Sequence, residues 1–200
     1  VAVTSFLANN PYDRVRYQDK LSGTYLITGI PERKNIDGIN QNFNSSIILK
    51  PDGSFDTYQK IFLVPFAEYV PFFKNWITKM NQFDDIGSFY PGSEYKTFNI
   101  DDFKASILIC YDSSSPQIVE TMVDNGAEII FIITNDSYVG QFMPYQHFQL
   151  ARLRAVEQRV PVIQSANTGI SGIILPSGKI VYRSKLNERT VFTMEVPLYE

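Results

Sequence analysis

Cysteine and histidine are almost absent from this sequence, which excludes several kinds of site at once. The 200 residues contain one cysteine, Cys110, and one histidine, His147. A single cysteine cannot form a disulfide within the chain, so the sequence says nothing about redox compartment. One cysteine and one histidine also fall short of the spacings that bind zinc. We therefore expect no metal site and no cofactor.

Strong net charge and long apolar runs are lacking too. Lys and Arg number 18 against 21 Asp and Glu, a net charge of −3, so we expect no nucleic-acid partner. The longest apolar stretches, such as IIFII at 129–133, are far shorter than the ~20 residues of a membrane-spanning helix. The length and the ordinary globular composition predict one domain over residues 1–200.

Short β-rich runs alternate with helical patterns, which indicates an α/β layered domain. Nearly continuous apolar runs are typical of strands covered on both faces. They predict strands at 24–30, 45–50, 105–110, 128–134 and 161–166.

Proline and glycine mark the turns and the helix ends. The segment 171–183 predicts a hairpin that turns at Pro176-Ser177-Gly178, and Pro51-Asp52-Gly53 predicts a similar turn. A helix is predicted over 144–159, and another from Ser115-Pro116 onward, where a capping residue precedes a proline.

Two interpretations of Cys110 follow from its position at the end of an apolar strand. Free cysteine is among the most buried residue types, so Cys110 could simply fill the core. A tight strand-to-helix turn would instead expose the thiol at the edge of the sheet, as in a nucleophile elbow. The helix N-terminus would then depress the thiol pKa, and the backbone N–H of Tyr111 could donate to an oxyanion. His147 lies inside a helix beside Phe148, so we interpret it as structural rather than as a base for Cys110.

Four motifs carry a resemblance to a known family. The stretches KIFLVPFAEYVPF (60–72), ICYDSSSP (109–116) and TNDSYVG (134–140) occur in that order, followed by the long stretch 144–180. Together they resemble the apolipoprotein N-acyltransferase branch of the nitrilase superfamily. The similarity runs, with gaps, from about Gly29 to Ile180.

The resemblance implies which residues form the site. Members use a Glu–Lys–Cys triad, in which Cys110 falls on the nucleophile and Lys60 on the lysine, while Glu68 falls on a second glutamate near the site. It implies that an oxyanion or pocket region is formed by Tyr111, Asp112, Asn135 and Tyr138. Asp112 stands where the family usually has Glu, and Tyr138-Val139 replace Trp-Phe.

The implied fold is a nitrilase-like four-layer α-β-β-α sandwich. The family's base glutamate lies in a Trp-Pro-Glu-x-Ala motif, and Val1-Ala2 align with its last two residues. We therefore expect a partial domain that lacks the first strand and helix and the base glutamate. We also expect this chain alone to be inactive. Glu32 matches another family position, so we do not assign it as the base.

The implied function is acyl transfer in lipoprotein maturation. A phospholipid would donate its acyl chain through a Cys110 thioester to the N-terminal amine of a diacylglyceryl-cysteine apolipoprotein. The implied location is a bacterial inner membrane, with the domain facing the periplasm. Two alternatives stay open: a nitrilase-type amidase with a soluble carbon–nitrogen substrate, and a catalytically inactive binding module.

The segment 70–92 holds an apolar stripe at helical spacing, which includes Phe72, Phe73, Trp76, Ile77 and Met80. This spacing is typical both of a helix packed on the core and of a mobile lid that touches the membrane. We expect a membrane contact through flanking segments and, under the second interpretation, through this segment.

Overall fold

The computed structural model describes residues 7–69, 89–137 and 140–198. The apolar stripe at 70–88 and the residues Tyr138 and Val139 lie outside the described residues. The choice between a packed helix and a lid therefore stays a prediction.

The first sheet has three antiparallel strands in the order β1, β2, β3. Their bounds are β1 Leu26–Ile36, β2 Ile39–Leu49 and β3 Phe55–Gln59. β1 and β2 are longer than predicted because Asp37 and Gly38, both at positive φ, join them in a tight two-residue turn. The predicted turn at 51–53 connects β2 to β3, with Gly53 at φ 84°.

The second sheet has six strands in chain order, and its centre is parallel. Parallel pairing joins β5 to β6 and β6 to β7, whereas the outer pairs are antiparallel. The strands are β4 Phe98–Ile100, β5 Phe103–Ile109, β6 Ile129–Thr134, β7 Val162–Ala166, β8 Gly172–Ile174 and β9 Ile180–Arg183. β8 and β9 form the predicted hairpin.

Three helices lie in the described parts of the chain: α1 Pro11–Leu21, α2 Pro116–Asp124 and α3 Met143–Gln158. α2 and α3 were predicted. α1 was missed, although Asn10 caps it by accepting from the N–H groups of Tyr12 and Asp13, and Pro11 opens it.

Alternate residues of β2 face opposite sides, which defines the layers. Ile47 packs in a small core with Leu7 and Ile30, to which Tyr17 of α1 contributes. Ile48 belongs to the main core, which also contains Ile107 of the second sheet. Ile118, Val119 and Met122 of α2 and Phe148 of α3 complete that core. Helix, sheet, sheet and helices thus follow one another, and the predicted α/β class is confirmed.

The parallel strands set the position of the site. Cys110 follows β5 directly, and Asp136 follows β6 by two residues. The carboxyl ends of parallel strands meet at one edge of a sheet, where α/β proteins place their sites. None of the helices in the described ranges combines the length and the apolar character that crossing a membrane requires.

Candidate active site

Cys110 occupies a sharp turn between β5 and a short 3-10 helix, Cys110–Ser114. Its φ is 49°, in the left-handed region, which costs a non-glycine residue roughly 1 kcal/mol or more. The Cys110 carbonyl accepts hydrogen bonds from Ser113 Oγ at 2.9 Å and from His147 Nε2 at 3.1 Å. The predicted strand-to-helix turn is therefore present, and side chains of two elements hold it.

Asp112 ties this turn to the strand end that carries Lys60. Its Oδ2 accepts from the Tyr58 hydroxyl at 2.9 Å and from the Ile109 N–H at 3.1 Å. Its Oδ1 accepts from the Phe62 N–H at 2.7 Å. Asp112 is fully buried, and burial raises its pKa to about 6. Asp112, which was predicted as a pocket residue, thus joins the Cys110 turn to Tyr58 and Phe62 through buried hydrogen bonds.

Lys60 and Glu68 form a short ion pair. Lys60 Nζ lies 2.6 Å from Glu68 Oε2, and the two side chains are 1% and 13% exposed. Glu68 Oε2 also accepts from the Val64 N–H at 2.7 Å, and its Oε1 accepts from Asn44 Nδ2 at 2.6 Å. A carboxylate with this many donors holds its position, so it fixes the ammonium group.

The surroundings of the thiol have opposing effects on its ionisation. Burial raises the pKa of the Cys110 thiol above its ordinary value, whereas the Lys60 charge and a hydrogen bond from Thr134 lower it. The charges of Asp136 and Glu68 raise it further. The predicted depression of the thiol pKa is therefore wrong for the protein without substrate, because the desolvation of the half-buried sulfur outweighs the nearby ammonium.

The predicted pocket residues lie around this centre in different ways. Tyr111 is 36% exposed, and its ring stacks on Phe62 with centroids 5.1 Å apart and planes at 17°. Its N–H belongs to the first turn of the 3-10 helix, where N–H groups have no partner within the helix. Asn135 Oδ1 accepts from Thr168 Oγ1 and, at 3.3 Å, from the Ser137 N–H, so Asn135 ties two loops together.

A second polar group, formed by Thr134, Asp136 and His147, also lies beside Cys110. His147 Nδ1 is 3.0 Å from Asp136 Oδ1, which also accepts from Thr134 Oγ1 at 2.7 Å. Ligand atoms of Cys110, Asp136 and His147 lie within 4.8 Å of one another. Both His147 nitrogens already have hydrogen-bond partners, so a metal ion would have to displace them.

Sequence reasoning missed three residues of this arrangement: Asn44, Thr134 and Asp136. Thr134 and Asp136 belong to the TNDSYVG stretch, where a carboxylate after a strand was a usable signal. Asn44 reaches Glu68 across 24 positions of sequence, and no local pattern indicates that contact.

The amino-acid sequence of the chain matches one protein family. The family model described as carbon-nitrogen hydrolase matches residues 15–200. Apolipoprotein N-acyltransferase 2 of Treponema denticola is 37% identical over 187 residues, which are 88% of this chain and 35% of that protein. The apolipoprotein N-acyltransferase of Geobacter metallireducens is 33% identical over 196 residues, 94% of this chain and 38% of that protein. The chain thus spans little more than a third of these relatives.

Solved structures agree on the fold. A nitrilase-superfamily protein of Saccharomyces cerevisiae superposes with a TM-score of 0.69 at 21% identity, covering 89% of this chain and 62% of that one. A carbon-nitrogen hydrolase of Helicobacter pylori superposes with a TM-score of 0.68 at 17% identity, covering 89% and 64%. The nitrilase-like fold and the resemblance predicted from the motifs are confirmed. This chain belongs to the carbon-nitrogen hydrolase family.

Proposed function

We propose that residues 1–200 form a single, partial catalytic domain of an apolipoprotein N-acyltransferase. The observation that carries this proposal is the buried Lys60–Glu68 pair beside Cys110, in a chain whose relatives bear that name. A nucleophilic thiol with a fixed ammonium group beside it is suited to acyl transfer through a covalent intermediate.

In the first step, the Cys110 thiol gives up its proton and the sulfur attacks an ester carbonyl of a phospholipid. The new carbon–sulfur bond turns the carbonyl oxygen into an oxyanion, which the Lys60 ammonium and the Tyr111 N–H stabilise. The intermediate collapses by breaking the ester carbon–oxygen bond. The lysophospholipid leaves with the proton that the thiol gave up, and the acyl chain stays on Cys110 as a thioester.

In the second step, the free amine of a diacylglyceryl-cysteine apolipoprotein attacks the thioester carbonyl. The carbon–nitrogen bond forms, the carbon–sulfur bond breaks, and the amine loses one proton as the thiolate returns. Glu68 keeps the Lys60 ammonium in place through both steps. Asp112 holds the Cys110 turn, and Asn135 and Tyr138 belong to the proposed pocket.

Exposed aromatic side chains in the segment that joins Lys60 to Glu68 favour a lipid donor over a small soluble substrate. Phe62 is 43% exposed, Phe66 is 59% exposed, and Tyr111 stacks on Phe62. Phe62 and Phe66 lie between Lys60 and Glu68 in the chain. A cluster of exposed aromatic rings around a reactive group is typical of a surface that binds apolar ligands. We propose that the protein works at a bacterial inner membrane, with this face in the periplasm.

The second candidate function is a nitrilase-type amidase, which the family description supports. One experiment separates the two. The complete gene product is incubated with vesicles of phospholipid that carries an isotope-labelled acyl chain, and separately with short aliphatic amides. Acyl transfer predicts a labelled acyl group on the Cys110 peptide and its passage to a diacylglyceryl-cysteine peptide. Ammonia release from the amides, without labelled protein, would refute the proposal in favour of the amidase.

A further inference from the structure

The polar group formed by Thr134, Asp136 and His147 has no place in the two steps above, yet it surrounds Cys110. All three residues are buried, with 4%, 6% and 7% of their surfaces exposed. Buried polar side chains are retained at a desolvation cost that hydrogen bonds must offset. Their hydrogen bonds form a chain from Thr134 through Asp136 to His147, and His147 contacts the backbone carbonyl of Cys110.

His147 makes the contact to Cys110 itself. Its Nε2 lies 3.1 Å from the Cys110 carbonyl oxygen and 3.0 Å from Ser113 Oγ, and Ser113 Oγ donates to the same carbonyl. A carbonyl oxygen can only accept, so this bond requires a proton on Nε2. The contact holds a residue whose φ of 49° is not its relaxed conformation.

Asp136 and Thr134 fix the imidazole from its other side. Asp136 Oδ1 accepts from His147 Nδ1 at 3.0 Å and from Thr134 Oγ1 at 2.7 Å. The Asp136 N–H donates to the Thr168 carbonyl at 3.0 Å. Gly169 packs so closely that a Cβ there would lie 2.5 Å from Asp136 Oδ2. The carboxylate therefore has little freedom to move, and it sets the plane of the ring.

We propose that His147, oriented by Asp136 and Thr134, is a positioning residue that binds the Cys110 carbonyl and thereby holds the thiol beside Lys60. This inference rests on the proposed function, which makes Cys110 the nucleophile. Its test measures the reactivity of the thiol and requires no acyl transfer.

Two substitutions of His147 separate the two ring contacts. The amide nitrogen of Gln reaches about as far as Nε2, so His147→Gln keeps a donor for the Cys110 carbonyl. The shorter amide of Asn matches Nδ1, so His147→Asn keeps the contact with Asp136 and loses the one with Cys110. A residue that merely filled the core would give the same result in both variants.

The readout is the pH dependence of Cys110 alkylation by iodoacetamide, which is specific because the chain has one cysteine. Among the described residues, the charged or titratable groups that face the sulfur are Lys60, Glu68, Asp136 and His147. For the native chain and for each His147 variant, the pH midpoint of alkylation is measured with and without the double substitution Lys60→Met/Glu68→Gln. This substitution removes both charges, and the thiol pKa should rise because the lowering effect of Lys60 exceeds the raising effect of Glu68.

In the native chain and in His147→Gln, the double substitution should raise the pH midpoint of alkylation by roughly half a unit or more, since directly paired charges shift a pKa by ~1–3 units. In His147→Asn the double substitution should no longer change the pH midpoint of alkylation, because the thiol no longer lies beside Lys60. An equal response in both His147 variants would overturn the proposal.

A second measurement holds even if His147→Asn does not fold. These 200 residues contain one histidine, so the ¹⁵N spectrum of its imidazole in the unsubstituted 200-residue chain is free of overlap. A proton on Nε2 is expected. An Nε2 without a proton would overturn the proposal, since it cannot donate to the Cys110 carbonyl.

Discussion

Replacing Lys60 by Met tests the ion pair at the centre of the site. Met has nearly the length of Lys but no charge, so the Glu68 carboxylate would keep the Val64 N–H and Asn44 as donors and lose its cationic partner. Removing one partner of a buried ion pair costs about 3–5 kcal/mol. Because Lys60 is 1% exposed and Glu68 13% exposed, we expect a loss of that size in the free energy of unfolding, measured by urea denaturation.

A matched control uses the pair of Lys50 and Asp56, whose atoms lie 2.9 Å apart with side chains 31% and 46% exposed. Lys50→Met should cost at most about 1 kcal/mol, because water screens this pair. The double variant Lys60→Met/Glu68→Gln should recover most of the lost stability, since no uncompensated charge remains buried. Its acyl transfer should still fall by about 10²–10³, the size expected for one lost oxyanion donor.

The reasoning would be refuted if Lys60→Met destabilised the protein no more than Lys50→Met. It would also be refuted if the double variant regained activity together with stability, because the ammonium would then have only a structural role.

Three further outcomes follow from the site. The pKa of Asp112 is raised to about 6 from 3.8, so between these values the folded state binds a proton that the unfolded state releases. The free energy of unfolding should therefore fall by on the order of 3 kcal/mol as pH rises from about 4 to 6. In Asp112→Asn, the free energy of unfolding obtained from denaturation curves should change less with pH over that range. Phe62→Ser should lower acyl transfer from phospholipid vesicles about tenfold while changing the rate of Cys110 alkylation by no more than about twofold. The control is Tyr12→Ser, which removes an exposed ring on α1. If Phe62→Ser lowered acyl transfer and alkylation equally, the apolar surface would be contradicted. Finally, His147→Asn should lower transfer more than His147→Gln does at equal stability, since a misplaced nucleophile loses up to about 10²-fold, and equal losses would contradict a positioning role.

The sequence alone predicted the features that depend on local patterns. An apolar strand that ends at Cys110, followed by Ser115-Pro116, predicted the turn that bears the thiol. Continuous apolar runs predicted strands covered on both faces, since such strands have no polar side; the parallel pairing at the centre of the second sheet was seen only in the structure. Lys60 and Glu68 came from the motif resemblance rather than from periodicity, and the structure brings them together at 2.6 Å.

Features that depend on contacts distant in sequence escaped prediction. His147 was interpreted as structural, and the structure shows it buried; its partners come from positions 110, 113 and 136, which only the sheet and α3 bring together. The thiol pKa was predicted with the wrong direction because a sequence shows the neighbouring lysine and not the desolvation of the sulfur. The length of the β1–β2 hairpin depended on Asp37-Gly38, a turn signal that was present and overlooked.

The mass of the Cys110 peptide after exposure to phospholipid tests the central claim most directly. The complete gene product is mixed with vesicles, quenched in acid within one turnover and digested, and the peptides are analysed by mass spectrometry. The control is Cys110→Ser, which changes the volume of the side chain little. The account predicts one acyl group on Cys110, its loss when the amine acceptor is added, and no transfer by Cys110→Ser. Transfer by Cys110→Ser at a rate close to that of the native protein would contradict it.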